Sequence, residues 1–170
     1  MKRVLLQAGV WLCCLLMLLT VGCAAEKEVQ PVTDGFSCRA DVTYRELALQ
    51  GVLTRPGNGN LQFAFQEPAS LSGIILGWDG QAMTMELGGV SIDIAEEQVP
   101  QSALIKCLLQ VLASDVSDGV LLQEGYTVSG EVQGTAYTLV CDPSTGLPLF
   151  LEVPENELYA TFTDAARLNK

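Results

Sequence analysis

Six cysteines and no histidine define the chemistry open to this chain. Histidine is the commonest general base near neutral pH and the commonest metal ligand, so its absence argues against hydrolytic and zinc-dependent catalysis. The spacing of the other reactive groups points the same way. Ser102 and Lys106 stand four apart, which does not match the Ser-x-x-Lys spacing of a lysine-activated nucleophile. Asp142-Pro143-Ser144-Thr145-Gly146 holds an acid, two hydroxyls and a glycine. Pro143 interrupts the Asp-Thr/Ser-Gly order of an aspartic protease, no second copy exists, and the composition is that of a tight turn. Glu96-Glu97 and Asp115/Asp118 read as solvated edges, and the latter pair lacks the ligand count of a calcium cage. The sequence predicts no catalytic residue, no metal site and no cofactor.

The positions of the cysteines say more. Met1-Lys2-Arg3 precedes an apolar stretch from Val4 to Gly22 that contains Cys13 and Cys14, and Cys23 follows at once. A short basic start, an apolar run and a small residue at its end form the pattern of a secretory signal. A transmembrane helix is the rival reading, since the stretch approaches the ~20 residues that span a bilayer. Glu26-Lys27-Glu28 supplies no positive stop-transfer cluster, which favours the signal. Leu19-Thr20-Val21-Gly22-Cys23 resembles the lipobox of bacterial lipoprotein signal peptides. That resemblance implies cleavage before Cys23, a diacylglyceryl group on its sulfur and acyl chains such as palmitate. It also implies a mature protein held at the outer leaflet of the cell membrane without spanning it. Each buried methylene contributes about 0.8 kcal/mol, and two chains suffice for stable anchoring.

Cys38, Cys107 and Cys141 remain for the mature domain. Cys38 alternates with Phe36, Ala40 and Val42, Cys141 with Tyr137 and Leu139, and Cys107 falls on the apolar side of a helical pattern. All three can face a core. Buried thiols and a single disulfide with one thiol left over both stay open. The absence of Cys-x-x-Cys argues against a redox role.

Three units follow: residues 1–22 as signal peptide, 23–34 as the Cys23 anchor and a polar tether, and 35–170 as one domain. The whole chain carries 20 acidic and 9 basic residues, a net charge of −11. Such a surface is unsuited to nucleic acid, whose affinity rests on Lys and Arg neutralising phosphates, and to anionic lipid headgroups. It suits the solubility of an exported domain.

The domain opens with period-two alternation, the mark of half-buried antiparallel strands. Phe36, Cys38, Ala40, Val42 and Tyr44 share one face, and Leu47, Leu49 and Leu53 follow after a turn at Arg45-Glu46. Pro56-Gly57-Asn58-Gly59 turns into Leu61, Phe63 and Phe65. Ile74, Leu76 and Trp78 precede a turn at Asp79-Gly80, and Met83, Met85 and Leu87 precede one at Gly88-Gly89, before Val90, Ile92 and Ile94. This predicts a meander of about six strands with one apolar face. Pro100–Val116 reads as the helix that covers that face: Pro100 suits the first helical position, and Leu104, Cys107, Leu108, Val111 and Leu112 keep helical spacing. Ile105 and Leu109 widen its apolar side, and Lys106 alone supplies a basic residue on the other. A membrane-surface helix is the rival, but it usually carries a basic polar face. Strands resume near Val120–Val132, Thr135–Cys141, Leu147–Val153 and Leu158–Thr163.

Residues 53–73, the GWDG at 77–80 and the CDPSTGLPLFLEVP at 141–154 resemble segments of small clostridial-type lipoproteins. Through them the chain is similar to the LolA/LolB superfamily of lipoprotein-carrier domains over about Phe36 to Asp164. The fold this implies is mainly β (α+β), a curved antiparallel sheet forming an unclosed half-barrel covered by one main helix. The function it implies is non-enzymatic binding of an apolar ligand, a lipid or a lipoprotein acyl chain. The candidate ligand surface is the inward row Phe63, Phe65, Ile74, Leu76, Trp78, Met83 and Met85. The residues themselves read equally as plain core, which leaves a protein-interaction or regulatory module of the cell envelope, with an envelope protein as partner, as the alternative.

Overall fold

The computed structural model describes residues 35–57, 60–79, 82–98, 104–113, 119–122, 125–132 and 134–168. The basic and apolar start, Cys23 and the tether lie outside these, as do Asn58, Gly59, Gly80, Pro100, Ser102, Asp115 and Asp118. The first alternating region builds β1 (Phe36–Tyr44), β2 (Leu47–Arg55), β3 (Leu61–Glu67), β4 (Ile74–Trp78), β5 (Ala82–Leu87) and β6 (Val90–Ala95). Helix α1 (Leu104–Ala113) follows. Then come β7 (Gly119–Leu122), β8 (Gly125–Val132), β9 (Thr135–Cys141), β10 (Pro148–Val153) and β11 (Leu158–Arg167). Residues 120–132, read as one strand from the sequence, hold two, because the chain reverses between the paired Leu122 and Gly125. β11 runs past the expected Thr163 because it lies along all of β1, with Tyr44 opposite Leu158 and Phe36 opposite Arg167.

All eleven strands form one sheet in the order β6-β5-β4-β3-β2-β1-β11-β10-β9-β8-β7. Two meanders are joined where β1 meets β11, and β6 and β7 are its two edges among the described residues. The position of α1 shows how far the sheet bends. The helix contacts β3 and β4 on one arm and β8 on the other. β4 and β8 are seven strand spacings apart in the sheet order, or roughly 34 Å at ~4.8 Å each if the sheet were flat. A helix with its side chains is only ~10–12 Å across. The sheet therefore curls round α1 while its edges stay unjoined. The result is the mainly β, unclosed half-barrel with one covering helix that the sequence predicts.

Phe36, Cys38, Ala40 and Val42 of β1, Leu61, Phe63 and Phe65 of β3, and Leu158, Ala160 and Phe162 of β11 line the inside of the curve and are buried. Cys107, Leu108, Leu109, Val111 and Leu112 fill it from the helix. Lys106 departs from expectation. Read from the sequence as the basic residue on the polar side of the helix, it is buried. Strands β3, β4 and β8 all contact α1, and the long aliphatic stem of lysine can pack among apolar neighbours. Among the described residues no helix is long and apolar enough to cross a membrane.

The sheet has two distinct ends. Phe36, where the chain enters, lies level with Arg55, and through the ladder Leu61, Trp78, Met83 and Ile94 share that end. Ile74, Leu87 and Val90 mark the other end.

Candidate functional site

The seven residues singled out in the sequence all stand on the inward face, and strand pairing joins most of them into one lattice. Trp78 lies opposite Leu61 and Met83, Leu76 opposite Phe63 and Met85, and Ile74 opposite Leu87. The rows continue onto β6, where Met83 meets Ile94, Met85 meets Ile92 and Leu87 meets Val90. Directly opposed residues on one face have Cβ atoms ~4.5–5.5 Å apart, so these are contiguous apolar rows. Phe65 stands aside from them, paired with Gly51 on β2.

Burial changes sharply across the lattice. In the row nearest the chain entry, Trp78 is 6% exposed and Met83 3%, and neighbouring Phe63 is 0% exposed. In the middle row Leu76 and Met85 are half-buried and Ile92 is 51% exposed. In the far row Ile74 is half-buried, while Leu87 is 54% and Val90 65% exposed. The sequence pattern places Leu87, Val90 and Ile92 inward with the core; the structure keeps them on that face but leaves them in water. The ten described residues of α1 are only ~15 Å long and contact β3, β4 and β8 of the eleven-stranded sheet. Leu47, expected inward on β2, is exposed at the same end.

The hairpin carrying this corner is regular. Gly88 and Gly89 have φ of +58° and +82°, the two-residue turn that matches the twist of the flanking strands. β5 and β6 pair without a bulge from Ala82–Ala95 to Leu87–Val90.

Deeper in, the predicted residues do packing work. A Cβ built on Gly51 would sit 2.5 Å from the Ala64 carbonyl oxygen and 2.7 Å from the Phe63 ring, so the ring occupies the space that glycine leaves. Phe65 meets Phe63 edge-on, with centroids 4.8 Å apart and planes at 87°, a favoured aromatic geometry.

Cys38, Cys107 and Cys141 are buried and not joined in disulfides. Burial pushes Cys38 up to about 12, and burial, with the charge of Asp142 added, does the same for Cys141. Burial also raises Cys107, although the Asn156 amide partly opposes this by donating to its sulfur at 2.9 Å. The nucleophilic thiolate is therefore disfavoured at each, and these cysteines serve as small apolar side chains. Asp142 holds the turn before β10. Its Oδ1 accepts from the backbone N–H groups of Ser144 at 2.9 Å and Thr145 at 2.8 Å, and from both their hydroxyls. The Ser144 hydroxyl and the Thr145 and Ser144 amides bring its carboxyl from 3.8 down to about 2. Among the described residues no three His, Cys, Asp or Glu side chains gather as a metal cage.

On the opposite, convex face, Arg39, Asp41, Gln50, Gln66 and Thr163 line a shallow polar cleft of about 250 Å³. It is separate from the apolar rows. Leu87, Val90 and Ile92 are the candidates that sequence reasoning passes over. Their alternation is legible, but their exposure depends on how far α1 extends.

No family model and no curated protein sequence matches the chain. Solved structures do match its fold. An uncharacterised conserved protein from Thermus thermophilus superposes with a TM-score of 0.51 at 15% identity, over 82% of each chain. A LolA superfamily protein from Nitrosomonas europaea gives a TM-score of 0.43 at 12% identity, over 84% of this chain and 90% of that one. The MucA/MucB complex from Pseudomonas aeruginosa gives 0.40 at 17% identity, over 80% of this chain and 53% of that one. At 15% identity, the match to the Thermus thermophilus protein shows a shared fold alone.

Proposed function

We propose that this chain is a lipid-anchored extracytoplasmic binding protein that docks a partner protein on the far rows of its inward face. One observation carries the reading: Leu87, Val90 and Ile92 are each more than half exposed, yet stand in unbroken register with a buried core. Apolar side chains gathered on one exposed face mark an interaction surface, whereas scattered ones need no explanation. The interior beneath α1 is occupied by Phe63, Leu108 and Leu109, all buried, which leaves the corner as an exposed apolar surface among the described residues. The lipobox-like Leu19–Cys23 supports the anchor and the extracytoplasmic location.

A second reading, an acyl chain of a lipid or lipoprotein lying on the same rows, is favoured by half-buried Met85 between Leu76 and Ile92. A thioether adapts readily to such a ligand. Mass spectrometry of the purified full-length chain separates the two. No stoichiometric lipid beyond the anchor is expected; one lipid per chain, lost in Ile92→Ser, would move the assignment to the acyl chain. The anchor has its own test. Cys23→Ala should abolish acyl-chain labelling and membrane partition, and unchanged labelling would refute it.

A further inference from the structure

We propose that the open edge of β6 accepts an extended segment of another protein as an added strand, one in which aliphatic residues alternate with lysine or arginine. This rests on the docking reading above and specifies its partner.

The backbone supplies the first part of the argument. Leu87 and Val90 close the two-residue Gly88-Gly89 loop, so Val90, Ile92 and Ile94 make the ladder hydrogen bonds to β5. The Asp79 N–H donates to the Ala82 carbonyl at 3.3 Å. Ala82, Thr84 and Glu86 therefore bond toward β4, in the same phase. The N–H and C=O groups of Ser91, Asp93 and Ala95 accordingly point outward, spaced to receive a strand. Sheets usually blunt such edges with bulges, prolines, short strands or charged side chains, lysine above all, and Asp93 is the one charge on this edge. β6 (VSIDIA) has six residues, no proline, no lysine and no bulge, whereas the opposite edge, β7, has only four residues.

Side chains supply the rest. An added strand would lay every second residue beside Val90, Ile92 and Ile94 on the inward face, which calls for aliphatic residues. Its alternate residues would lie on the outer face near Asp93 and Glu86, which stand on neighbouring strands of that face. Opposite charges across strands favour pairing and like charges oppose it. A second copy of this chain is the poorer occupant. Antiparallel self-pairing would set Asp93 against its own counterpart or diagonally across from it, between two molecules of net charge −11 each.

The test uses the full-length chain and a synthetic peptide of about six residues that alternates valine and lysine. A valine–glutamate peptide and a valine–lysine peptide N-methylated at alternate residues serve as comparators. Binding of the valine–lysine peptide is expected, with at least about tenfold weakening in both comparators and in Ser91→Pro, which removes one outward N–H while leaving the ladder to β5 intact. Asp93→Asn should weaken it about threefold or more. Circular dichroism and the thermal midpoint of each variant confirm that it is folded. Binding lost in Ile92→Ser but indifferent to Ser91→Pro and to N-methylation would overturn strand addition and leave the apolar docking surface standing. Binding indifferent to Ile92→Ser as well would overturn both. No binding of any peptide overturns the strand proposal, as does a dimer that forms in its place and disappears in Ser91→Pro.

Discussion

Met83 and Leu87 stand on the same strand and the same face, four residues or roughly 13 Å apart. One is core and the other is more than half in water. Their partners behave alike: Trp78, opposite Met83, is buried, and Val90, opposite Leu87, is the most exposed large apolar residue described. Residue type and alternation do not distinguish the two rows. What differs is the cover: among the described residues α1 contacts β3 and β4, while Leu87 and Val90 at the β5–β6 tip are exposed. A one-faced sheet is thus an offer of burial, and the length of its covering helix decides how much of that offer stays open.

Substitutions can break this contrast. Trp78→Ala should cost about 3–5 kcal/mol in urea unfolding, as large-to-small core changes do. If it cost no more than a change at Val90, the near row would not be core. Gly51→Ala comes next, because its Cβ would press on the Ala64 carbonyl and the Phe63 ring; overpacking of this kind costs about 1–3 kcal/mol.

The overall fold was legible because its signals are local. Alternation from Phe36 to Ile94 gave six strands, and the Gly88-Gly89 turn fixed a register that a one-residue slip would have turned inside out. The spacing of Leu104, Cys107, Leu108, Val111 and Leu112 gave the helix. Three things were not legible. The break between Leu122 and Gly125 carries no strong turn residues other than the glycine itself. The burial of Lys106 depends on two distant arms closing round one helix. The exposed corner depends on where that helix stops, which no pattern within β5 or β6 encodes. Of the residues singled out, Phe63, Phe65, Trp78 and Met83 are packed in the core, Ile74, Leu76 and Met85 are half-buried, and the exposed part of the same face continues beyond them.

The near end is held by its turn as well as its core, and pH can separate the two. Asp142 has its carboxyl pKa lowered in the folded state from 3.8 to about 2. Its contribution is therefore fully present above the unfolded value and lost as pH falls through the folded one. Because the group is largely solvated, the gain should be no more than about 1 kcal/mol. Unfolding free energies from urea titrations at about pH 6 and about pH 1 should differ by that much less in Asp142→Asn than in the natural chain. The smallest effect is expected at the far row. Leu87→Ser and Val90→Ser should each change stability by less than about 0.5 kcal/mol, as exposed surface substitutions do. A loss approaching that of Trp78→Ala would show that something covers the corner in solution.

The chain enters the sheet at Phe36, at the end of the molecule away from Leu87 and Val90. Hung from a bilayer by Cys23, the domain would carry its apolar corner on the side facing away from the lipid. Residues 24–34 extend at most ~40 Å, and the nine residues of β1 add roughly 30 Å. The corner could then sweep a shell reaching about 70 Å from the membrane surface. With Cys23 lipidated as proposed, that reach would suit the capture of chains standing off the membrane.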